Sequence, residues 1–452
     1  MSTIFSPIFR TEAGANLRLA LPLIAAQIAG VGMGTMDAIF AGRLGQSTLA
    51  AVAVGTNLNV MFFIFFMGMF MACSAIVAQR AGAGQADARV GAFARETLLL
   101  SVLSASLWVL LAHLLAGPVL LNLGLDAATA KIAVEFLHAY SWSAFGFCAW
   151  FVLRYTAEGV GCMRPIFIAS VMGLASNGFL DWVFMYGKFG LPAMGAVGCG
   201  WATTISSLLM VAVLALQYRR HAVLRALEVF RPLWPRLSGD VREVLRLGVP
   251  IGMILFAEVG LFVLAAFWMA YFGDVAVAAY QVATNFATLA FMIPMGVALA
   301  TTVRVGQAVG AGEIAAARHR GIIGMQLGLL NAGSNASIMA LFPAWIVALY
   351  TDDAAIAALA VKFFLLAALF QFVDGLQVTA NGALRGIKDT RVPMLITVTA
   401  YWLVGMPVAW WLGFHTSLAA AGIWWGLTVG LAIAALGLSM RFLSKSKRLN
   451  RS

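Results

Sequence analysis

The sequence predicts an all-α polytopic membrane protein, with twelve transmembrane helices in two parallel six-helix repeats around a central cavity. Three observations predict it. Hydrophobic residues fill 62% of the 452 positions and charged residues only 10%, whereas a soluble domain carries about 25% charged residues. Such a chain cannot cover a water-facing surface, and in hydrocarbon only helix bundles or closed barrels satisfy the backbone. The apolar stretches run about 20 residues without period-2 alternation, which selects helices over barrel strands. Finally, the second half of the chain repeats the first.

Hydrophobic runs between charged or Gly/Pro-rich breaks mark the spans in order. The first six lie near 17–41, 48–78, 92–116, 132–153, 165–186 and 195–217. The last six lie near 246–271, 276–303, 321–347, 358–380, 392–412 and 418–440. The first span follows Arg10 and Arg18 and is too long for a signal-peptide core, so it reads as a retained helix. After the sixth span come seven arginines: Arg219, Arg220, Arg225, Arg231, Arg236, Arg242 and Arg246. The expected organisation is an N-lobe of residues 1–217, a basic linker of residues 218–245 and a C-lobe of residues 246–452.

With a cytoplasmic N-terminus, the 29 Lys and Arg all fall on the cytoplasmic side except Arg43, Lys131, Lys188 and Lys362. Basic residues in short loops resist translocation, so this asymmetry predicts an inner-membrane protein with both termini in the cytoplasm. The net charge of +11 then reflects loops facing anionic lipid, and no nucleic-acid partner is expected.

The repeat has an offset of 228 residues. Ala20-Leu21-Pro22 returns as Gly248-Val249-Pro250, Thr56-Asn57 as Thr284-Asn285, and Met67-Gly68 as Met295-Gly296. The stretch from Gln79 to Gly84, with Gly82, returns as Gln307 to Gly312, with Gly310. Slightly shorter offsets relate Thr156, Ala157 and Gly159 to Thr379, Ala380 and Gly382, and Gly198 and Trp201 to Gly422 and Trp425. Six spans per repeat give both halves the same orientation, and lobes that rock against each other provide alternating access.

Four acids lie well within spans: Asp37 in the first, Asp181 in the fifth, Glu258 in the seventh and Asp374 in the tenth. A carboxylate near the bilayer centre costs about 2.5–3.5 kcal/mol on insertion scales, so these acids are expected at a cation or proton site. Under the repeat offsets their counterparts are Ala265, Ala409, Gly30 and Phe151, so the scaffold is duplicated and the acids are not. Each lobe is expected to hold its own acidic pair. Asn177 lies one turn before Asp181, and Gln371, Asp374, Gln377 and Asn381 share one helix face. Gln281 and Asn285 are four apart in the eighth span, and Phe262 follows Glu258 by one turn, where its ring suits a cation. Oxygens of this kind provide the cage that Na⁺ or a proton relay requires. Glu258 and Asp374 are the candidate Na⁺ ligands.

Other chemistry is missing from the sequence. There is no phosphate loop, no HExxH and no nucleophile elbow, so an enzyme is not expected and an ion gradient must supply the energy. No cofactor is expected beyond a coupling ion, Na⁺ and/or H⁺. Cys73, Cys148, Cys162 and Cys199 form no CxxC pair and read as small packing residues. The 21 methionines, Met33, Met36, Met253 and Met295 among them, suit a polyspecific pocket and equally suit ordinary packing.

From about Asn16 to Leu443 the chain resembles the multidrug and toxic compound extrusion (MATE) family, in its NorM-type branch. The resemblance rests on Met36-Asp37 with Ala41-Gly42, the two Gln-x-x-Gly-Ala-Gly loops, and Tyr186 to Gly190 with Gly198 to Ala202. It rests further on Phe256-Ala257-Glu258 and on Gln371-x-x-Asp374-x-x-Gln377 followed by Leu384 to Asp389. The resemblance implies an antiporter that expels cationic drugs and dyes, fluoroquinolones included. It also implies a C-lobe cation site at Glu258 and Asp374, helped by the eighth span, and an N-lobe site at Asp37 and Asn177. Asp181 stands where NorM-type members often carry a second Asn, which leaves the coupling ion open between sodium, protons or both. A monomer in the lipid bilayer is expected.

The competing readings are a lipid-linked saccharide flippase of the same superfamily, a membrane enzyme and a channel. A flippase needs Arg or Lys in its cavity for pyrophosphate, and intramembrane charge here is almost wholly acidic. An enzyme lacks a catalytic motif, and a channel leaves the unrepeated acids unexplained.

Overall fold

The computed structural model describes residues 7–122, 126–231 and 239–449, and every regular element among them is helical. Arg236 and the linker positions 232–238 lie outside the described residues. The helices of the first half are α1 (Pro7–Leu44), α2 (Gln46–Gly82), α3 (Ala88–Leu120), α4 (Ala127–Ser141), α5 (Ser143–Gly159), α6 (Arg164–Tyr186), α7 (Gly195–Arg220) and the short α8 (Ala222–Arg225). The second half contains α9 (Gly239–Met269), α10 (Asp274–Gly310), α11 (Ile314–Leu341), α12 (Pro343–Ala348), α13 (Ala354–Gly386), α14 (Arg391–Val398), α15 (Met406–Phe414) and α16 (Ala420–Leu449). Thr399–Gly405, between α14 and α15, is a π-helical turn.

Eleven helical segments among the described residues are long and apolar enough to cross a membrane, with α4 and α5 forming one such segment and α14 to α15 another. The ninth expected span differs from expectation. Its helix, α11, begins at Ile314 and carries Arg318, His319, Arg320, Asn331 and Asn335, which keeps it short of that apolar threshold. It stops at Leu341, before Pro343 opens α12.

Asp caps set several helix starts. Asp87, Asp126 and Asp353 each accept a backbone N–H from the first turn of α3, α4 and α13. Hydrogen bonds from the Thr129 side chain and backbone hold the exposed Asp126 carboxyl below its usual range.

The chain forms two compact units. One is Ala25–Gly252, here the N-terminal unit; the other is Met253–Ser452 with Met1–Ile24, the C-terminal unit. Both unit ends therefore fall inside helices, α1 and α9. Ionic and apolar contacts at the helix starts explain why. Glu12 pairs with Arg304 of α10 and Arg320 of α11, Asn16 donates to the Thr301 hydroxyl at 3.0 Å, and Ala20 and Ile24 join the core of Val297 and Ala300. The start of α9 does likewise in the N-terminal unit, where Arg80 of α2 forks onto Asp240 at 2.5 and 3.2 Å. Glu12 and Asp240 are related by the 228-residue offset, so the repeat reuses one anchoring device. Of the linker, Leu227 and Glu228 lie against α3, and Arg95 donates to the Glu228 carbonyl at 2.5 Å.

The repeated glycines mark the places where helix backbones meet. A Cβ on Gly198 of α7 would lie 2.7 Å from the Phe184 backbone of α6, and one on Gly422 of α16 would lie 2.4 Å from the Leu412 backbone of α15. A Cβ on Gly159 would lie 2.6 Å from the Val77 side chain and 3.0 Å from the Ala78 backbone in the N-terminal unit, and one on Gly382 would lie 2.4 Å from the Ala298 carbonyl in the C-terminal unit. Close approach of this kind holds membrane helices together where no hydrophobic force between them exists. We expect Gly422→Leu to abolish recovery of folded protein, since backbone cannot yield as a side chain does. Gly14→Ala, with nothing within 4 Å of its Cβ, should leave yield and melting temperature unchanged in a detergent-solubilised thermal assay.

Candidate functional site

Each unit holds its own acids. In the N-terminal unit Asp37 extends from α1 toward α6 and α7. Asn177 of α6 donates its amide to Asp37 Oδ1 at 3.1 Å and to Thr203 Oγ1 at 3.3 Å, and the Thr203 hydroxyl donates to Asp37 Oδ2 at 3.4 Å. Asp181, one turn after Asn177, is fully buried, its oxygens beside the Asp37 carboxyl and the Cys199 thiol and without an amide, hydroxyl or basic donor. The Cys199 thiol of α7 shares the cluster, with one donor atom each from Asp37, Asp181 and Cys199 within 4.8 Å of the others. Gly198 permits this, because it brings α7 onto the backbone of α6. Tyr140 of α4 lies within electrostatic reach of both carboxylates.

In the C-terminal unit the acids lie on α9 and α13. Gln371, Asp374, Gln377 and Asn381 are all buried, so the face read from their spacing is an inward one. Gln371 donates to the Ala287 carbonyl of α10 at 2.8 Å, which fixes this helix pair beside the acid. Asp374 Oδ1 is buried and has no hydrogen-bond partner. Glu258, on α9, is half-buried and within electrostatic reach of Asp374.

The tertiary structure adds residues that span-by-span reading missed. Tyr401, fully buried in the π-turn, lies within electrostatic reach of Glu258 and Asp374, with the Gln377 side chain beside its hydroxyl. The next residue, Trp402, donates its indole N–H to the Ala257 carbonyl at 3.2 Å, holding the π-turn against the residue before Glu258. A π-turn in an otherwise α-helical span is a frequent mark of function. Arg385 is buried in α13, which runs past the expected end at 380, and its charge acts on Glu258. The N-terminal cluster has no such cation, and no Lys, Arg or His pairs with Asp37 or Asp181 among the described residues.

Other expected residues lie differently. Gln281 and Asn285 are exposed on α10 and hydrogen-bond to neither Glu258 nor Asp374; the Asn285 side chain accepts from the Tyr350 hydroxyl at 3.1 Å. Phe262 is half-buried, its ring edge-on to Phe370 with centroids 5.6 Å apart. All four cysteines are free and buried.

A bundle of this many spanning helices, with carboxylates held in each unit, is a polytopic membrane protein. The MatE family model matches residues 22–183 and again residues 250–411, two matches set 228 residues apart at both ends. A probable multidrug resistance protein NorM of Xanthomonas axonopodis pv. citri is 39% identical over 445 residues, covering 98% of this chain and 96% of that protein. The multidrug resistance protein PmpM of Pseudomonas aeruginosa is 38% identical, covering 98% and 93%. Among solved structures, the eukaryotic MATE transporter AtDTX14 superposes with a TM-score of 0.86 at 21% identity, covering 98% of this chain and 99% of that one, a likeness in fold. This chain belongs to the MatE family of multidrug and toxic compound extrusion transporters, in its NorM-type branch.

Proposed function

We propose that the chain is a cation-coupled antiporter that expels cationic and amphipathic drugs and dyes, fluoroquinolones among them. The carrying observation is that each unit encloses an unrepeated acid pair, Asp37 with Asp181 and Glu258 with Asp374. Two carboxylates in the N-terminal cluster have no basic partner, and a buried charge without a counter-charge is costly. A coupling cation, Na⁺ and/or H⁺, supplies the missing charge, and a cationic substrate replaces it. Relatives named multidrug resistance proteins, at 38–39% identity along nearly the whole chain, support the substrate class.

The two lobes, 1–217 and 246–452, joined by the 218–245 segment, provide alternating access. Both termini face the cytoplasm from the inner membrane, as the basic asymmetry supports. One chain suffices, because each acid cluster is complete within it. The acidic clusters speak against a pyrophosphate-binding flippase.

Reconstituted vesicles loaded with a fluorescent organic cation provide the test. An imposed Na⁺ or H⁺ gradient should drive dye counterflow, and equal rates with both gradients collapsed would refute antiport. Asp37→Asn should impair this counterflow under either gradient. Asp181→Asn, which removes the extra carboxylate, should reduce the proton-driven component selectively. Indifference of proton-driven transport to Asp181→Asn would show that carboxylate to be idle.

A further inference from the structure

The N-terminal cluster contains one group that neither sodium nor proton coupling uses, the Cys199 thiol. Its sulfur and single oxygens of Asp37 and Asp181 lie within 4.8 Å of one another, with all three residues buried. Asp181 is aimed into this cluster, its oxygens facing the Asp37 carboxyl and the Cys199 thiol and bonded to no amide, hydroxyl or basic group. Two buried carboxylates with no basic partner lack positive charge, and a divalent cation supplies it. The sulfur decides which divalent cation. Mg²⁺ and Ca²⁺ demand six or more oxygens and gain nothing from a thiol, whereas thiolate with carboxylate suits borderline and soft metals. The Thr203 hydroxyl, which donates to Asp37 Oδ2 at 3.4 Å, stands beside the cluster as a fourth donor atom. Donor atoms around a tetrahedral zinc-type ion lie roughly 3.3–3.8 Å apart, close to the 4.8 Å that bounds the separations of these three.

We propose that Asp37, Asp181 and Cys199 bind one divalent thiophilic metal ion of the Zn²⁺, Cd²⁺ or Co²⁺ type, and that the bound ion blocks the N-terminal acid pair. On binding, the sulfur–metal bond forms as the thiol proton leaves to solvent. The binding half stands on the geometry, and the blocking half rests on the coupling role proposed above.

Co²⁺ titrated into purified full-length protein reads the site directly, through the near-ultraviolet thiolate-to-cobalt charge-transfer band. The wild type should develop the band with one equivalent and melt at a higher temperature with metal bound. Cys199→Ser should lose the band, and Asp181→Asn should keep it while its affinity falls about tenfold or more. Absence of the band in the wild type overturns the site, as does its survival in Cys199→Ser, which would assign the metal to another thiol such as Cys162, whose sulfur lies 3.5 Å from His221 Nδ1. Should Cys199→Ser fail to fold, an unchanged Co²⁺ affinity in Asp181→Asn still overturns it. In vesicles Cd²⁺ should stop wild-type efflux, and a full band with undiminished efflux refutes the blocking half alone. Vesicles that never pump refute the antiport reading and leave the spectroscopic result standing.

Discussion

Glu258→Gln and Asp374→Asn should each reach the membrane at wild-type abundance and abolish gradient-driven efflux. Both substitutions keep side-chain shape and remove only the ability to carry charge. They also relieve a cost, since each central carboxylate opposes insertion by about 2.5–3.5 kcal/mol, so stability should hold or rise. What disappears is the differential affinity for a cation on the two sides of the membrane, and without it a gradient has nothing to act upon. A potential of 100 mV supplies about 2.3 kcal/mol per charge moved through it, close to fiftyfold in an equilibrium constant. A carrier that cannot load the charge forfeits all of that bias. Arg385 sharpens the expectation for Glu258: its charge acts on that carboxylate, so Glu258→Gln leaves Arg385 to offset the remaining acid and removes the site's attraction for coupling ion and cationic substrate. The measurement is dye counterflow normalised to the amount of protein in the membrane. If both variants are present in full and still pump at the wild-type rate, the C-terminal cation site is wrong.

Glu158→Ala should destabilise the N-terminal unit by about 3–5 kcal/mol, the cost of breaking a buried ion pair from one side. Arg154 Nε donates to Glu158 Oε1 at 2.8 Å one turn away on α5, and Arg154 Nη2 donates to Gln27 Oε1 of α1 at 2.7 Å. Both members are buried, at 6% and 0% side-chain exposure, so an arginine stripped of its carboxylate has little water to turn to. The sign distinguishes this pair from the coupling acids: removing Glu258 leaves folding intact, whereas removing Glu158 does not. Replacing both partners together, as Arg154→Met with Glu158→Leu, should recover most of the lost stability, because the lone charge goes with its partner. Melting temperature in detergent follows both variants. A Glu158→Ala protein as stable as wild type would mean that Arg154 finds water or another acid.

The helices were legible because hydrocarbon demands long apolar runs, a requirement written residue by residue. The repeat was legible for a related reason: Gly198 and Gly422, or Gly159 and Gly382, recur because backbones meet at those points in both units. The acids announced themselves by cost alone. Spacing along one helix was enough for Gln371, Asp374, Gln377 and Asn381, whose shared face is buried. The same reasoning reached less far at Gln281 and Asn285, where an i, i+4 pair lies on an exposed part of α10. Periodicity identifies a common face, and packing decides where that face points.

The sequence by itself determined the class of molecule, the number and order of its helices, their pseudo-duplication and the four acids, because each follows from local composition or from self-comparison. Only the tertiary structure decided which helices those acids share. It joined Asp37, Asp181 and Cys199 from α1, α6 and α7, and set Tyr401 beside Glu258 and Asp374 through a π-turn. It also placed the ends of the compact units inside α1 and α9, where Glu12 and Asp240 anchor helix starts that a hydropathy profile assigns by position alone. Hydrophobicity is a property of each segment, whereas side-chain neighbours across helices depend on rotation and depth, and those are settled by packing.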